Sequence, residues 1–569
     1  MLILGLNHGE LNSSAALYKD GKIIAGATEE RFNREKMTTQ FPRQVVEFCL
    51  QYAGIEFNEI DCIAQGWNPG AGWHNYNPLL SSNRIKREDY FYTVPDHLFN
   101  LTQRNIQDWV LMDHPKESNI PPIYFIQHHR SHAANAFFLS SFEEAAIMTA
   151  DWSGEFECLT LGVGRGNEID ISVKQHLPHS LGMMYSAFTE LLGYRPDNDE
   201  WKVMALSAFD VNCDDYVKKV RSTIELEDDG MFKLDQSYYK GALLDQPKQY
   251  TDKLVKLLGN KEGVPGADPD DWHIAVAKAM QIVVEEIATH ILCHFYKRVK
   301  CKNLVLGGGF FLNSVYNGKI LEQTPFENLY ISHTPSDAGN SIGAALYVAH
   351  CIKDQNRDYS FNSSYIGPSY CDEEILSSLI RRSISYQELS QPGKTAAELL
   401  AKDEIVAHFN GRMEFGERAL GNRSILADPR SPHAKGRINS MIKYRESYRP
   451  FAPAVLADRV SDYFEVAVNY ECHFMEKVVQ MKDQYCELFP AVTHVDGSGR
   501  VQTVSKKHNN VFYNLIAEFE KLTQYPIVLN TSFNISGEPI VATPDDALNT
   551  FFNSGLLYMI LGKYLIEKK

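Results

Sequence analysis

The sequence predicts a multidomain α/β protein with a duplicated first half, on three observations. A plan of apolar strand, polar loop and second strand occurs twice, about 145 residues apart. A long amphipathic helix feeds a buried-looking strand that opens onto a glycine loop, which is α/β grammar. The chain is 569 residues long, several times a domain of ~150 residues.

The first plan begins with the apolar run 2–6, LILGL, and a polar loop. The strands Ser14–Tyr18 and Lys22–Gly26 follow, joined by Asp20-Gly21, a tight-hairpin pair. The second plan has the run Ala145–Ala150, the loop DWSGE (151–155) and the run Cys158–Val163. Asp271–Arg298 reads as a helix, with Ile274, Ala277, Met280, Val284, Ile287 and Ile291 at helical spacing and Lys297 and Arg298 at the end that favours cations. It leads into NLVLGGGFFLN (303–313). Around 353–364 the chain turns polar and non-periodic, as a linker would. A second α/β segment follows, with strands near 404–408 and 526–530.

Composition narrows the class. Apolar residues make up 44% and charged residues 22%, enough for a large core, and the net charge is −16. A surface that acidic does not coat nucleic acid or an anionic membrane, and no apolar run reaches the length of a membrane span. Ten scattered cysteines without a C-x-x-C pair suit a reducing compartment. The expectation is a soluble, cytoplasmic enzyme.

Three constellations carry chemistry. In IQHHRSHAANAF (126–137), His128 and His132 are spaced i, i+4, so a helix puts both imidazoles on one face, with His129 pointing elsewhere. Asp151 ends an apolar strand, and Asp337 lies in SHTPSDAGNSIGAA (332–345). Two imidazoles with carboxylates suit Fe(II), Zn or Mn; the plainer alternative is a pair of locally hydrogen-bonded histidines. The second constellation is phosphate-binding. Gly307, Gly308 and Gly309 let a backbone approach a ligand, Asn313 follows to hydrogen-bond it, and DWSGE adds Ser153 and Gly154. Actin-type kinases clamp phosphates between two such loops, although each loop alone is also an ordinary turn. The third is the segment 411–449, with seven Arg and two Lys against four Asp/Glu. Its Arg residues alternate with Gly, Asn and apolar residues, which fits an Arg-lined pocket for an anion better than a solvated face. Arg500 in HVDGSGRVQTV (494–504) and Asn530, Thr531, Ser532 and Asn534 in LNTSFNISGEPI (529–540) add donors beside strands.

HHRSHAANAF, DWSGE, DNDEWKVMALSAF (197–209), LGGGFFLN and PSDAGNSIGAA together resemble the carbamoyltransferase family, whose members O-carbamoylate antibiotics and nodulation factors. GRMEFGERALGNRSILADPR, RESYRPFAPAVL (445–456), RVQTV and LNTSFNISGEPI are similar to its C-terminal signature. A more distant likeness runs to iron-binding tRNA threonylcarbamoyl-transfer enzymes and to the carbamoyl-transfer domain of hydrogenase maturation. The resemblance implies an actin-like (ASKHA) duplicated domain over 1–355 and a YrdC-like α/β domain over 365–569. The C-terminal domain would make carbamoyladenylate from carbamoyl phosphate and ATP with Mg²⁺, using Arg418, Lys443, Arg449, Arg500, Asn530 and Ser532. The N-terminal domain would pass the carbamoyl group to a hydroxyl of a small-molecule acceptor, neither nucleic acid nor membrane. There the resemblance implies Fe²⁺ on His128, His132, Asp151 and Asp337, and a nucleotide along Asp151, Ser153, Gly154, Gly182, Lys202, Gly307 to Gly309 and Asn313. It also implies catalytic roles near His8, Asn12 and Lys202.

The chain departs from that pattern in two places. Leu11 and Asn12 stand where the family shows His-Asp, which opens the role of base to His8 or Glu10, the other reading of His8 being a residue that only caps or braces the loop after the first strand. Trp201 stands where Gly is common, before Lys202. Acceptor choice falls to loops such as 66–116. Two other readings compete. An actin-type small-molecule kinase accounts for the glycine loops but not for the His pair or the Arg island. A non-catalytic nucleotide- or RNA-binding partner in tRNA modification is opposed by the acidic balance.

Overall fold

A computed structural model describes residues 1–9, 12–68, 108–113, 120–240, 248–360, 363–443, 448–449 and 451–568. Glu10, Leu11 and most of 66–116 lie outside these residues. The chain forms two compact units, Met1–Ile24 with Cys49–Asn362, and Ala25–Phe48 with Ser363–Lys569.

Two sheets of one plan build the first unit. In the first sheet, Leu2–Asn7 pairs antiparallel with Ser14–Lys19, which neighbours Lys22–Thr28. On its other side it pairs parallel with Cys62–Gln65, which pairs parallel with Ile123–Ile126. In the second sheet, Glu144–Ala150 pairs antiparallel with Glu157–Arg165, which pairs with Glu168–His176. Its other side meets Asn303–Gly307 and then Asn328–Ile331, both parallel. Both sheets therefore run 3-2-1-4-5 with matching directions, and the first adds an antiparallel edge, Trp109–Met112. This shared topology is the duplication expected from the repeated pattern, in the actin-like form that the family resemblance implies. The central strands carry almost unbroken apolar runs because both faces are covered.

Local chemistry sets the element ends. Asp20 and Gly21 both take positive φ, 45° and 95°, as a two-residue hairpin turn requires. The helix Asp271–Val299 starts at Asp270, whose carboxylate accepts the N–H groups of Trp272 and His273, and stops at Lys300 with φ 50°.

Two helices carry the future site and pack with almost no gap. His128–Leu139 is buried along its whole length, and Asn340–Tyr347 lies against it. Gly343 makes this possible, since a Cβ there would stand 1.9 Å from the Ser131 carbonyl oxygen. Any larger residue would push the helices apart.

The second unit has one mixed eight-stranded sheet. At its centre, Val406–Phe409, Arg423–Ala427, Ile527–Ser532 and Ala452–Leu456 lie side by side, all antiparallel. One face packs on the helices Pro392–Ala401 and Asn510–Thr523 through Leu400, Phe512, Leu515 and Phe519. The other face buries Ile425, Phe451, Val455, Leu529 and Phe551 in a larger core.

Candidate functional site

The first site grows from the helix His128–Leu139. Glu155 fixes its start, its carboxylate accepting the backbone N–H of His128 (2.9 and 3.1 Å) and of Asn68 (2.7 Å). His129 turns away, with Nδ1 2.7 Å from the Thr149 hydroxyl and Nε2 2.9 Å from the Glu157 carbonyl. His128 and His132 face the other way, their Nε2 atoms 3.0 Å apart. Asp151 Oδ2 is 3.7 Å from His128 Nε2 and 3.0 Å from His132 Nε2, and Asp337 Oδ1 is 3.6 and 3.5 Å from the same atoms. One ligand atom from each of the four lies within 4.8 Å of all the others.

The DWSGE loop and the glycine loop after the strand Asn303–Gly307 meet at Asp151. Its Oδ2 accepts the Gly309 N–H at 3.0 Å, and its Oδ1 accepts the Trp152 N–H at 2.8 Å. Gly308 permits the approach, with φ 97° and a Cβ position only 2.1 Å from the Ala150 carbonyl oxygen. Gly307 runs against the His132 backbone, and Gly154 against the rings of His128 and His129. Ser153 is half-buried in the same loop. Gly182 lies in the first turn of the helix Leu181–Leu191, hard against Asp151 and Trp152. Asp337 is placed by a short turn, Asp337–Gly339, which Asn135 braces by donating to the Thr334 carbonyl at 2.7 Å.

Electrostatics single this cluster out. Burial opposes a charge on His128, yet the Asp151 and Asp337 carboxylates outweigh it and lift its pKa to about 9. Burial likewise opposes ionised Asp151, but hydrogen bonding to the two imidazoles carries its pKa well below the carboxylate range. His129, buried next door, is pushed well below the usual imidazole value by desolvation. Two nitrogens and two carboxylate oxygens converging in a buried space are a donor set for a first-row divalent cation, and the residues fit one.

Lys202 lies on the helix Glu200–Leu206, its ammonium 3.2 Å from Asp199 and beside the rings of Trp201 and Tyr194. Asp197, at φ 58°, has its pKa raised by burial first, with Asp151 and Asp337 among the charges that add to it. Asn313 caps the helix Ser314–Gln323 and exchanges hydrogen bonds with Gln281, so its side chain is committed within the protein. His8 is half-buried directly after the first strand, and Asn12 takes φ 59°.

The second site is in the other unit, gathered about Asn530. In the sheet, Asn530 stands opposite both Leu426 and Ala452, and Ser532 opposite Ser424. The Asn530 amide donates to the Ala419 carbonyl (3.2 Å) and to Gln502 (2.8 Å). These contacts bring the loop of Arg418, the strand after Arg500 and the chain after Arg449 to one place. Lys443, only 5% exposed, donates to the backbone and side-chain oxygens of Ser532 and Asn534 at 2.6–3.1 Å. Arg418 is held in a crowded setting where desolvation lowers its pKa.

The Arg island is only partly what its composition implied. Arg423 is fully buried, donates to the carbonyls of Pro368, Asn410 and Gly411 and stacks on Phe409 at 3.6 Å. Arg430 pairs with Asp428, Arg437 with Asp403, and Arg412 donates to Ile366 and Gly367. Four of the seven thus bind protein acceptors, and Arg445 lies outside the described residues. Sequence reasoning missed three organising groups. Glu414 collects the N–H groups of Leu420, Asn422 and Arg423 on one oxygen (2.7, 2.8 and 3.3 Å) and shapes the Arg418 loop. Glu155 and Asn340 do comparable work at the first site, and all three lie inside the quoted motifs.

Comparison with known proteins adds an independent line. Family models described as "Carbamoyltransferase N-terminus" and "Carbamoyltransferase C-terminus" match residues 2–346 and 397–568. The "Nodulation protein NolNO" of Sinorhizobium fredii is 33% identical over 98% of this chain and 79% of its own length. The "Uncharacterized protein sll1178" of Synechocystis sp. is 36% identical over 100% of this chain and 96% of that protein. Among solved structures, the (R)-2-hydroxyglutaryl-CoA dehydratase component A of Acidaminococcus fermentans covers 61% of this chain and 97% of its own, at 13% identity and a TM-score of 0.32.

Proposed function

This chain belongs to the carbamoyltransferase family, and from that premise we propose that it is an ATP-dependent O-carbamoyltransferase acting in two steps. In the second unit, carbamoyl phosphate and water give carbamate and phosphate. A carbamate oxygen then attacks the α-phosphorus of Mg²⁺-bound ATP, giving carbamoyladenylate and pyrophosphate. In the first unit, a hydroxyl of a small-molecule acceptor attacks the carbamoyl carbon, AMP leaves, and the hydroxyl proton passes to a base.

One observation carries this reading: two chemically different sites, each built within its own unit. The first is anionic with two imidazoles, and the second is rich in Arg, Lys, Ser and Asn donors. Carbamate is short-lived, so its adenylation demands an enclosed pocket with preset donors. Arg418, Arg449 and Arg500 offer forked donors to phosphate oxygens, while Lys443 holds Ser532 and Asn534 in place. In the first unit His128, His132, Asp151 and Asp337 would hold Fe²⁺, which when bound supplies a Lewis acid for the oxygens of the mixed anhydride. The backbone about Gly307 to Gly309 and the DWSGE loop would take the nucleotide, with Lys202 beside it. His8 is the proposed base for the acceptor hydroxyl, at the end of the first strand.

Incubation with ATP, carbamoyl phosphate and Mg²⁺ and no acceptor tests the reading. Pyrophosphate and a carbamoyl-AMP mass are expected. ADP as the sole nucleotide product would overturn it in favour of a kinase. Screening hydroxylated metabolites for a carbamoyl mass gain would then identify the acceptor.

A further inference from the structure

Asn530 has one side-chain atom that the fold leaves over. The residue is 1% exposed and stands on a central strand, two positions before Ser532 and so on the same face of the sheet. Its Nδ2 donates to the Ala419 carbonyl at 3.2 Å and to Gln502 Oε1 at 2.8 Å, while Gln502 Nε2 donates to the Leu420 carbonyl at 3.0 Å. This chain of amides begins and ends on backbone carbonyls, which only accept. Neither amide can be turned round without setting oxygen against oxygen. Glu414 holds the carbonyl-bearing loop in place by gathering the N–H groups of Leu420, Asn422 and Arg423. Asn530 Oδ1 is therefore fixed as an acceptor, and it is buried with no hydrogen-bond partner among the described residues. A buried polar atom in that state costs stability unless something else meets it.

The chemistry around it says what that something carries. Arg418, Lys443, Arg449 and Arg500, the cations of the proposed phosphate site, have side chains that only donate. They match the oxygens of carbamoyl phosphate, which accept. The one donor on that molecule is its NH2 group, and it needs an acceptor. We propose that Asn530 Oδ1 accepts a hydrogen bond from the carbamoyl NH2, and that by this contact the second unit tells a carbamoyl phosphate from an acyl phosphate. Gln502 is the positioning residue that holds the Asn530 amide. The NH2 group passes unchanged from carbamoyl phosphate through carbamate to the adenylate, so the contact is made in ground and transition states alike. Its loss belongs in KM more than in kcat. The inference rests on the chemistry proposed above for the second unit.

Acetyl phosphate is the probe, because it puts CH3 where carbamoyl phosphate has NH2. Pyrophosphate release from Mg²⁺-ATP by the full chain gives the KM for carbamoyl phosphate and, by competition, the inhibition constant of acetyl phosphate. In the wild type, acetyl phosphate should bind about 5- to 100-fold more weakly, since it leaves Oδ1 buried and unpaired. Asn530→Ala should raise the KM for carbamoyl phosphate by a similar factor and leave the acetyl phosphate constant within about threefold of wild type. Gln502→Met frees the Asn530 amide to turn and should narrow the gap between the two ligands in the same direction. A structural role alone would weaken both ligands together, so an unchanged ratio in folded variants overturns the proposal. Should neither variant fold, the wild-type ratio decides, and a gap below about fivefold overturns it. A wild type that releases no pyrophosphate with carbamoyl phosphate removes the two-step reading itself, and the Asn530 role falls with it.

Discussion

His128 and His129 are adjacent and equally hidden from solvent, yet they are driven in opposite directions. What differs is the company, two carboxylates for one ring and a hydroxyl and a carbonyl for the other. His408 is a plainer case in the second unit. It is fully buried in the strand Val406–Phe409, its Nδ1–H donates to the Gly421 carbonyl, and burial pushes its pKa down to about 4. In the unfolded chain it protonates near ~6.5. Between those values the unfolded chain binds more protons than the folded one, so stability falls as pH falls, by up to about 1.4 kcal/mol per pH unit. Above ~6.5 this contribution is complete and flat. His408→Gln keeps a donor for Gly421 and has nothing to titrate, so its unfolding free energy should fall less steeply than wild type between pH 6.5 and 4.5. Denaturant melts at three pH values in that window would show it, and parallel slopes would contradict the assignment.

At the scale of elements, the segment Ala25–Phe48 clusters with residues that follow it by more than three hundred positions. Two arginines secure it. Arg31 donates to the Gly416 carbonyl at 2.9 Å, and Arg34 to the carbonyls of Ile540 and Pro539 at 2.7 and 2.8 Å. All three acceptors lie in motifs that carry proposed substrate contacts. Arg34→Ala leaves two carbonyls to find new partners, and hydrogen bonds to charged groups are worth about 1.5–3 kcal/mol each. The second unit's unfolding transition should move to lower denaturant, with hydrogen exchange accelerated around 416–420 and 534–541. Unchanged exchange at both loops would show the segment to be a passenger. Nothing in the local sequence signals this attachment, since carbonyl acceptors are everywhere and a bound Arg reads like a solvated one. The same limit hid the contacts of Asn340, whose partners lie more than two hundred positions away, and of Arg423, which reaches back to Pro368. The repeated strand–loop–strand plan and the i, i+4 histidines were legible because their periodicity is local, and the sheets and the helix His128–Leu139 carry them as read.

For the molecule as a whole, the division of labour between the units is the claim with the most consequence. Each proposed site is assembled from residues of one unit, so damage to one should leave the other's chemistry standing. Arg418 is a cleaner probe of the second unit than Lys443. The Lys443 ammonium already faces four oxygens of Ser532 and Asn534, and its loss would strand them. Removing one charge-assisted phosphate contact by Arg418→Ala should cut pyrophosphate release by roughly 10- to 150-fold, from the same range of about 1.5–3 kcal/mol. Bound metal should be unchanged, and so should carbamoyl transfer from supplied carbamoyladenylate. His128→Ala and Asp337→Ala should do the reverse, lowering bound metal and blocking transfer while pyrophosphate release persists. Full metal occupancy in both would remove these residues from the ligand set. Equal loss of both half-reactions in folded variants would mean that one unit does both jobs, a result that two self-contained sites of opposite charge make hard to accommodate.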